Sequence, residues 1–419
     1  MSMKKQLLFV TSRLPWPTTS GRKVSLWHYC RGLSERGFEV SLYVFPEWDQ
    51  PRTAEGKPDF IREVRFAAPV GKGEKLRNLL LRSLFGKNRW PLQCALYHSR
   101  KNAAAIAAFA KELAAEVVIF DMIRTAPYMD AITPRTVRKI LDLDDLLSLR
   151  YSRQLAAGVG DVSVAGRYAG GMSTLADRLL CRGVVGKWVL RTEQKRLQRA
   201  EVYYAKKADG VILVSPEETA AFNRVLGEEK TVAVPMGVDV EAFSAALRMH
   251  KAHRTFGFVG NLHVAANVAS LDRIVQHILP RLEGNFTFEV VGPCPPEVRE
   301  RYRDVPGVRL LGEVESLVPV VGRWQCMLSP IAFGSGIKTK ILEAMAMGLP
   351  VVTNAVGAEG ILPSPALLVA EEDAAIASEV SYLLFDKARC GVLGDEAHAH
   401  VAAHFSWQEI FKEFAKLGL

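Results

Sequence analysis

Short continuous apolar runs alternate along this chain with longer segments of helical spacing. Leu7 to Thr11 (LLFVT) is such a run, of the kind that suits a strand buried on both faces of a parallel sheet. A turn-rich stretch, Ser12 to Gly21, carries Pro15 and Pro17. Lys23 to Gly37 then places Val24, Trp27 and Leu33 on one side and Arg31, Glu35 and Arg36 on another, with Gly37 where a helix stop belongs. Glu39 to Phe45 (EVSLYVF) is the next predicted strand. The pattern continues with strands at Val117–Phe120, Lys139–Leu141, Gly210–Val214 and Val232–Val234, and a helix from Glu217. A second series holds strands at Thr255–Val259, Thr287–Val291, Val308–Leu311, Cys326–Ser329 and Pro350–Thr353. Its helices are expected over Asn267–Leu282 and Thr339–Gly348. Strand–helix alternation of this kind predicts an α/β protein with two doubly wound, Rossmann-like sheets and a boundary near Met236–Val240.

With 419 residues, 49% hydrophobic and 24% charged, the chain can bury large cores, and disorder, collagen and low-complexity classes are excluded. No run reaches the roughly 20 apolar residues that a spanning helix needs. The apolar stretch Leu7–Val10 is too short for a signal peptide, which predicts a cytosolic protein. Six cysteines lie at 30, 94, 181, 294, 326 and 390 without a CxxC, the pattern of buried, reduced thiols. A net charge of +9 favours an anionic partner: a nucleotide, a phospholipid surface or a nucleic acid.

The strongest candidate site is IAFGSGIKTKILEAMAMGLPVV, residues 331–352. Gly334, Ser335 and Gly336 let a backbone approach a ligand, and a helix begins near Lys338 with its amides pointing at whatever lies there. Lys338 and Lys340 add positive charge, so the combination suits a diphosphate. Glu343, in the first turns of the helix, can accept hydrogen bonds from ribose hydroxyls. The competing reading is a plain strand–loop–helix connection with surface lysines. On the other half, KILDLDDLLSLRY (139–151) delivers Asp142, Asp144 and Asp145 at a strand's carboxyl end. One such carboxylate can take a proton from an acceptor hydroxyl; the alternative is a helix N-cap with solvated aspartates.

The segment GSGIKTKILEAMAMGLPVVTNAVGAEG resembles the donor-binding segment of group 1 (family 4) glycosyltransferases. ADGVILVSPEE (208–218), PMGVDVEAF (235–243), FGFVGNLHVAAN (256–267) and FSWQEIF (405–411) resemble further family motifs in the same order. The resemblance implies a GT-B fold, two Rossmann-like domains facing across a cleft. Residues 1–236 would bind the acceptor and 237–395 the nucleotide-sugar, with 396–419 as a helix crossing back. It implies a metal-independent enzyme without a cofactor, since the nucleotide-sugar is a substrate. UDP or GDP sugars would be donors, and saccharides, lipid-linked sugars or proteins acceptors, in bacterial surface glycan synthesis. By position, Gly260 and Asn261 should lie beside sugar or phosphates, Gly312 to Val314 beside the base, and Gly21 near the diphosphate. Asn267 is either a helix N-cap or a ligand contact. The family usually carries two glutamates eight positions apart; the second matches Glu343, whereas Ser335 stands at the first.

Two alternatives use the same residues. Asp142-Leu143-Asp144 is also an Asp-x-Asp metal motif of one-domain, metal-dependent glycosyltransferases, and a nucleotide-sugar epimerase shares the two-domain fold. A basic nucleic-acid-binding protein is the non-enzyme alternative, but no recognition module appears. Residues 72–101 carry eight basic residues against Glu74, interleaved with leucines and Trp90, and Lys187–Lys207 is a second basic helix. Both suit peripheral contact with an anionic membrane surface, with an ordinary solvated face as the alternative.

Overall fold

The computed structural model describes residues 4–18, 21–46, 52–84, 90–133, 136–156, 183–334 and 336–419. The chain divides into two compact units, Met1–Val234 with Glu413–Leu419, and Pro235–Lys412. The 387–404 helix runs without a break through residue 396.

The first unit is built on β1 (Lys5–Thr11), β2 (Phe38–Val44), β3 (Ile61–Phe66), β4 (Val117–Asp121), β5 (Arg138–Asp144), β6 (Gly210–Leu213) and β7 (Thr231–Ala233), arranged β3-β2-β1-β4-β5-β6-β7. Every pairing is parallel. The central strands are apolar along their length because helices cover both faces; Leu7 to Val10 and Val118 to Phe120 have no exposed surface. β3 is an edge strand whose charged positions find partners instead of core: Arg62 pairs with Glu39, and Arg65 with Glu63 and Glu112.

The second unit repeats the arrangement with β8 (Thr255–Val259), β9 (Thr287–Val291), β10 (Val308–Gly312), β11 (Met327–Ser329), β12 (Val351–Thr353) and β13 (Leu367–Val369), in the order β10-β9-β8-β11-β12-β13. All its pairings are parallel too. Its core gathers Phe256, Phe258, Phe288, Trp324, Ile341 and Leu342. Gly257 is required at the centre of β8, because a Cβ there would meet Glu289 O and the Trp324 ring at 2.4 Å. Trp324 Nε1 donates to Glu289 Oε2 at 2.8 Å, so the buried indole is satisfied.

Both sheets therefore reverse strand order once, between β1 and β4 and between β8 and β11. In open α/β sheets the crevice beyond the carboxyl ends at such a reversal is where ligands bind.

Four expectations from the sequence need correction. β5 extends beyond Leu141 to Asp144, so Asp142 and Asp144 belong to the strand and are not caps of the helix that begins at Leu147. The helix expected over Asn267–Leu282 is α-helical only over Ala265–Arg273, and then widens and tightens before Leu282. Asn267 lies inside it rather than at its N-cap, which is Val264. β3 and β13 were not among the expected strands. Among the described cysteines, Cys30, Cys94, Cys326 and Cys390 are buried, Cys294 is half-buried, and all are free thiols. No helix of the described residues is long and apolar enough to cross a membrane.

Candidate functional site

In the second unit the carboxyl edge of the sheet is made of glycines. Gly260 follows β8, Gly292 follows β9 and Gly312 ends β10. Gly260 N donates to Val291 O at 2.9 Å, and Gly292 N donates to Gly312 O at 2.8 Å, so the three strand ends are tied side by side. A Cβ on Gly292 would stand 2.2 Å from Gly260 O, at a φ of +136° that side chains rarely adopt. Bare backbone is thus what this edge offers to a ligand. Val314, two residues beyond Gly312, is half-buried against the core.

The loop from β11 to the helix Thr339–Ala346 completes the edge. It is held at two points that sequence reading missed. Asn354, at the end of β12, accepts from Ile331 N and donates to Ile331 O, both at 2.9 Å. Ser270 Oγ accepts from Ala332 N at 3.0 Å. Gly334 and Gly336 follow, Gly336 with φ +73°; Ser335 lies outside the described residues.

Lys338 and Lys340 turn back onto this loop and onto the Gly260 turn. Lys338 Nζ donates to Gly336 O and lies 3.5 Å from Glu359 Oε2. Lys340 Nζ stands 4.1 Å from the centre of the Phe258 ring and donates to Asn267 Oδ1 at 3.1 Å. Asn267 Nδ2 in turn donates to Asn261 O at 2.9 Å, while Asn261 Oδ1 accepts from His263 N. Asn267 is therefore the link that joins Lys340 to the Gly260–Asn261 turn. Burial, reinforced by Lys338, pushes the Lys340 ammonium down to about 7. Burial lowers Lys338 as well, against the opposing pull of Glu359.

Glu343 sits one turn further along the same helix and shares a face with Lys340. Burial raises its carboxyl above the usual range, and no described residue donates a hydrogen bond to it. In the first turn of this helix Ile341 N donates to Lys338 O at 2.9 Å, whereas the amides of Thr339 and Lys340 precede the first such bond. Two crowded cations, open amides and an unpartnered carboxylate thus converge on one glycine-lined edge. An anion with hydroxyl groups beside it answers all three.

The first unit's reversal point is occupied differently. Arg22, second residue of the helix Gly21–Glu35, is only 7% exposed in its side chain. A cation is unfavourable at a helix N-terminus, so its place is explained by what surrounds it. Nη2 donates at 2.5 Å to both Asp121 Oδ1 and Asp142 Oδ2, Nε donates to Asp121 Oδ1 at 3.1 Å, and Nη1 donates to Asp144 Oδ1 at 3.2 Å. Thr11 Oγ1 and Ser12 N complete the shell of Asp121 at 2.8 and 3.3 Å. Asp121 is held down at about 2: burial opposes its charge, and Arg22, Arg13 and the Arg22 and Thr11 hydrogen bonds more than offset it. Asp142 is pushed up to about 6, chiefly by burial and further by Asp121 and Asp144, against Arg22.

Asp142 and Asp144 are therefore not equivalent. Asp142 has no exposed surface. Its Oδ1 accepts from Asp144 N at 3.1 Å. Asp144 adopts the left-handed region, φ +65°, at a register shift where β5 meets β6. Its side chain is 23% exposed. Bulges of this kind re-aim a side chain beside functional sites. Asp145 turns away to Arg150, 2.5 Å from Nη2. Gly21 is exposed at the start of its helix. Among the described residues no group of three His, Cys, Asp or Glu side chains is placed to hold a metal ion; the Asp142-x-Asp144 pair is bridged by the Arg22 guanidinium.

Residues 253–386 match the family model described as glycosyl transferases group 1. No curated protein matches the sequence. Solved structures similar to the whole chain include sucrose-phosphate synthase from Thermosynechococcus elongatus, with 17% identity, 99% of this chain and 98% of that one covered, and a TM-score of 0.66. TarM, from S. aureus, is 10% identical over 100% and 99% of the two chains, with a TM-score of 0.66. HepE of Anabaena in complex with UDP is 16% identical over 99% of both, with a TM-score of 0.62. The one-domain alternative is thereby excluded. Residues 253–386 are a group 1 glycosyltransferase domain, the chain as a whole has the GT-B fold, and the protein is a glycosyltransferase.

Proposed function

We propose that the protein transfers a sugar from a nucleoside-diphosphate sugar to a hydroxyl of a saccharide, lipid-linked or protein acceptor in bacterial surface glycan synthesis. The carrying observation is the unpartnered Glu343 carboxylate on the same helix face as Lys340, beside the glycine edge. Glu343 receives the ribose hydroxyls. Lys338, Lys340 and the helix amides receive the diphosphate, and their charge stabilises it as it leaves, so no metal or cofactor is required. UDP is the favoured nucleotide, because HepE is described with UDP, with UDP and glucose, and with UDP-glucose. The first unit serves the acceptor, with Asp144 rather than Asp142 presented to its hydroxyl, since only Asp144 has an exposed carboxylate oxygen.

The segment Lys72–Leu84 supports work at a membrane surface. Leu76, Leu80 and Leu81 are 59%, 40% and 60% exposed among Lys72, Lys75, Arg77 and Arg82, a combination that favours anionic headgroups. Vesicles of phosphatidylglycerol should sediment with the protein and vesicles of phosphatidylcholine should not.

Calorimetry with UDP, GDP and UDP-glucose tests the reading. UDP should bind, and Glu343→Gln should weaken it with the fold intact. Equal affinity of Glu343→Gln and the parent protein for UDP would remove Glu343 from the site.

A further inference from the structure

In the first unit a hollow of about 480 Å³ opens at the opposite end of the sheet from Arg22, where β5, β6 and β7 begin. Its volume falls in the roughly 300–1,000 Å³ range of small-molecule sites. Arg138 starts β5 and Asp144 ends it, about 20 Å apart along an extended strand. The hollow is therefore separate from the Arg22 cluster.

Both of its walls are firmly built. One is the segment Glu413–Leu419, which belongs to the first unit. Leu417 packs so closely on the start of β6 that a Cβ on Gly210 would meet its Cδ2 at 2.6 Å. Gly418 has φ +69°, and a Cβ there would stand 2.0 Å from Arg138 Nη1, so the guanidinium lies directly against this backbone. The other wall is the helix Pro216–Leu226 with β7. Asn223 joins the two, accepting from Thr231 N at 3.0 Å and donating to Thr231 O at 3.1 Å.

Within this frame three polar groups are left over. Thr219 and Thr231 are 8% and 5% exposed, and the hydroxyl of each is buried with no hydrogen-bond partner among the described residues. The Arg138 side chain makes no hydrogen bond or ion pair among the described residues. The other charges of the walls are engaged. Asp209 accepts from Lys139 N at 2.8 Å, Glu229 from Asn223 Nδ2 at 2.8 Å and Glu413 from Lys416 Nζ at 2.6 Å, while Lys230 Nζ donates to Ala208 O at 3.1 Å. A buried hydroxyl without a partner is costly, and a guanidinium is a two-pronged donor for a carboxylate or phosphate. β6 separates β5 from β7, so about 10 Å lies between the strands that carry Arg138 and Thr231. A lone small anion on Arg138 would leave the hydroxyls unserved. An acidic group attached to a hydroxyl-bearing ring serves both, and the remaining carboxylate oxygens of the walls can accept from such hydroxyls.

We propose that this hollow is a second ligand site, taking a sugar unit that bears one acidic group: Arg138 holds the carboxylate or phosphate ester, and Thr219 and Thr231 bind the ring hydroxyls. The site stands on the first unit alone and does not depend on the donor reading of the second.

Calorimetry on the full chain with glucuronate, glucose 6-phosphate, glucose and inorganic phosphate tests this. At least one acidic sugar should bind about tenfold more tightly than glucose or phosphate, the worth of one charge-assisted hydrogen bond. Binding of glucuronate alone assigns a carboxylate, and of glucose 6-phosphate alone a phosphate ester. Arg138→Met should abolish the preference for the acidic sugar over glucose. Thr219→Val combined with Thr231→Val should weaken binding by about tenfold. The melting temperature should not fall, because each valine removes an unsatisfied buried hydroxyl from the empty protein. Hydroxyls with a merely structural role would give the reverse, a lower melting temperature and unchanged binding. Glu343→Gln, in the other unit, should bind the acidic sugar as the parent does. The inference is overturned if neither acidic sugar binds, if Arg138→Met and the double valine variant both bind it unchanged, or if only Glu343→Gln loses it. Absent UDP binding beside intact acidic-sugar binding would count against the proposed function and leave this site standing.

Discussion

The two units use one strand order and one reversal point, yet fill it with opposite chemistry. At the end of β1 and β4 the fold builds a closed ion cluster: Arg22 is surrounded, and three aspartates share it. At the end of β8 and β11 it leaves charges without counter-charges: Lys340 has an asparagine and the Phe258 ring, Glu343 has no partner among the described residues, and the strand ends are glycine. A buried charge without a partner is costly. Under the proposed function a ligand completes the second arrangement, whereas the first is completed by its own side chains. One topology can thus serve either as a rigid platform or as an open receptor, according to whether opposite charges reach each other within the unit.

That contrast breaks first at Arg22. Arg22→Ala leaves three aspartates around an empty position, two of them fully buried, and should destabilise the protein by about 3–5 kcal/mol, the cost of breaking a buried pair on one side. Urea unfolding checks this, and a loss below about 1 kcal/mol would show that the cluster is not what fixes the strand ends. The matching change in the second unit should do the reverse. Glu343→Gln should leave urea unfolding unchanged or slightly improved while UDP affinity falls by roughly 10- to 150-fold, the equivalent of about 1.5–3 kcal/mol for one lost charged hydrogen bond.

Lys340→Met sharpens the comparison further. Turnover with UDP-glucose should fall by at least about tenfold, because the positive charge that offsets the negative charge of the leaving diphosphate is lost, with no loss of stability. The parent protein adds a pH test. A folded-state value of about 7 for Lys340, against about 10.4 unfolded, means that the unfolded chain binds more protons between those values. This residue's contribution therefore makes stability rise with pH from about 7 to 10. Lys340→Met should remove that rise, and an unchanged slope in thermal melts would show that the ammonium is not desolvated.

The smallest effect concerns Asp142. Its folded value of about 6 exceeds the unfolded value of about 3.9, so the native state binds more protons between pH 4 and 6. Its contribution to stability falls as pH rises through that window. Asp121, held at about 2, has the opposite sign: its contribution is present above pH 4 and is lost as pH falls from 4 towards 2. Melting temperatures across pH 3–7 should decline less steeply above pH 4 in Asp142→Asn than in the parent.

Elements of the second unit were readable to the residue in places. Thr255–Val259 and Thr287–Val291 are strands with the limits that apolar runs predict. The GSGIKTKILE segment was legible because its chemistry is local: glycines, lysines and glutamate within ten positions on one loop and one helix. β3 escaped because IREVRF carries charges that pair across an edge strand, and β13 because it has three residues. Asn354 and Ser270 escaped because each reaches its loop from a distant element.

What the sequence determined by itself is what depends on near neighbours: alternation of strand and helix, two units, and the diphosphate-like loop with its helix start. The tertiary structure alone decided the roles of single charged groups. Arg22 follows a glycine in a turn-rich segment, and nothing within its own helix asks for a cation. Its partners lie 99, 120 and 122 residues away, brought to it because β1, β4 and β5 are adjacent in the sheet. Asp142 and Asp144 look alike in LDLDD. The bulge in β5 makes them different, burying one carboxylate against Arg22 and leaving the other with an oxygen in solvent. Burial and charge pairing are properties of three-dimensional neighbours, and those neighbours set both the proton affinity and the reach of each carboxylate.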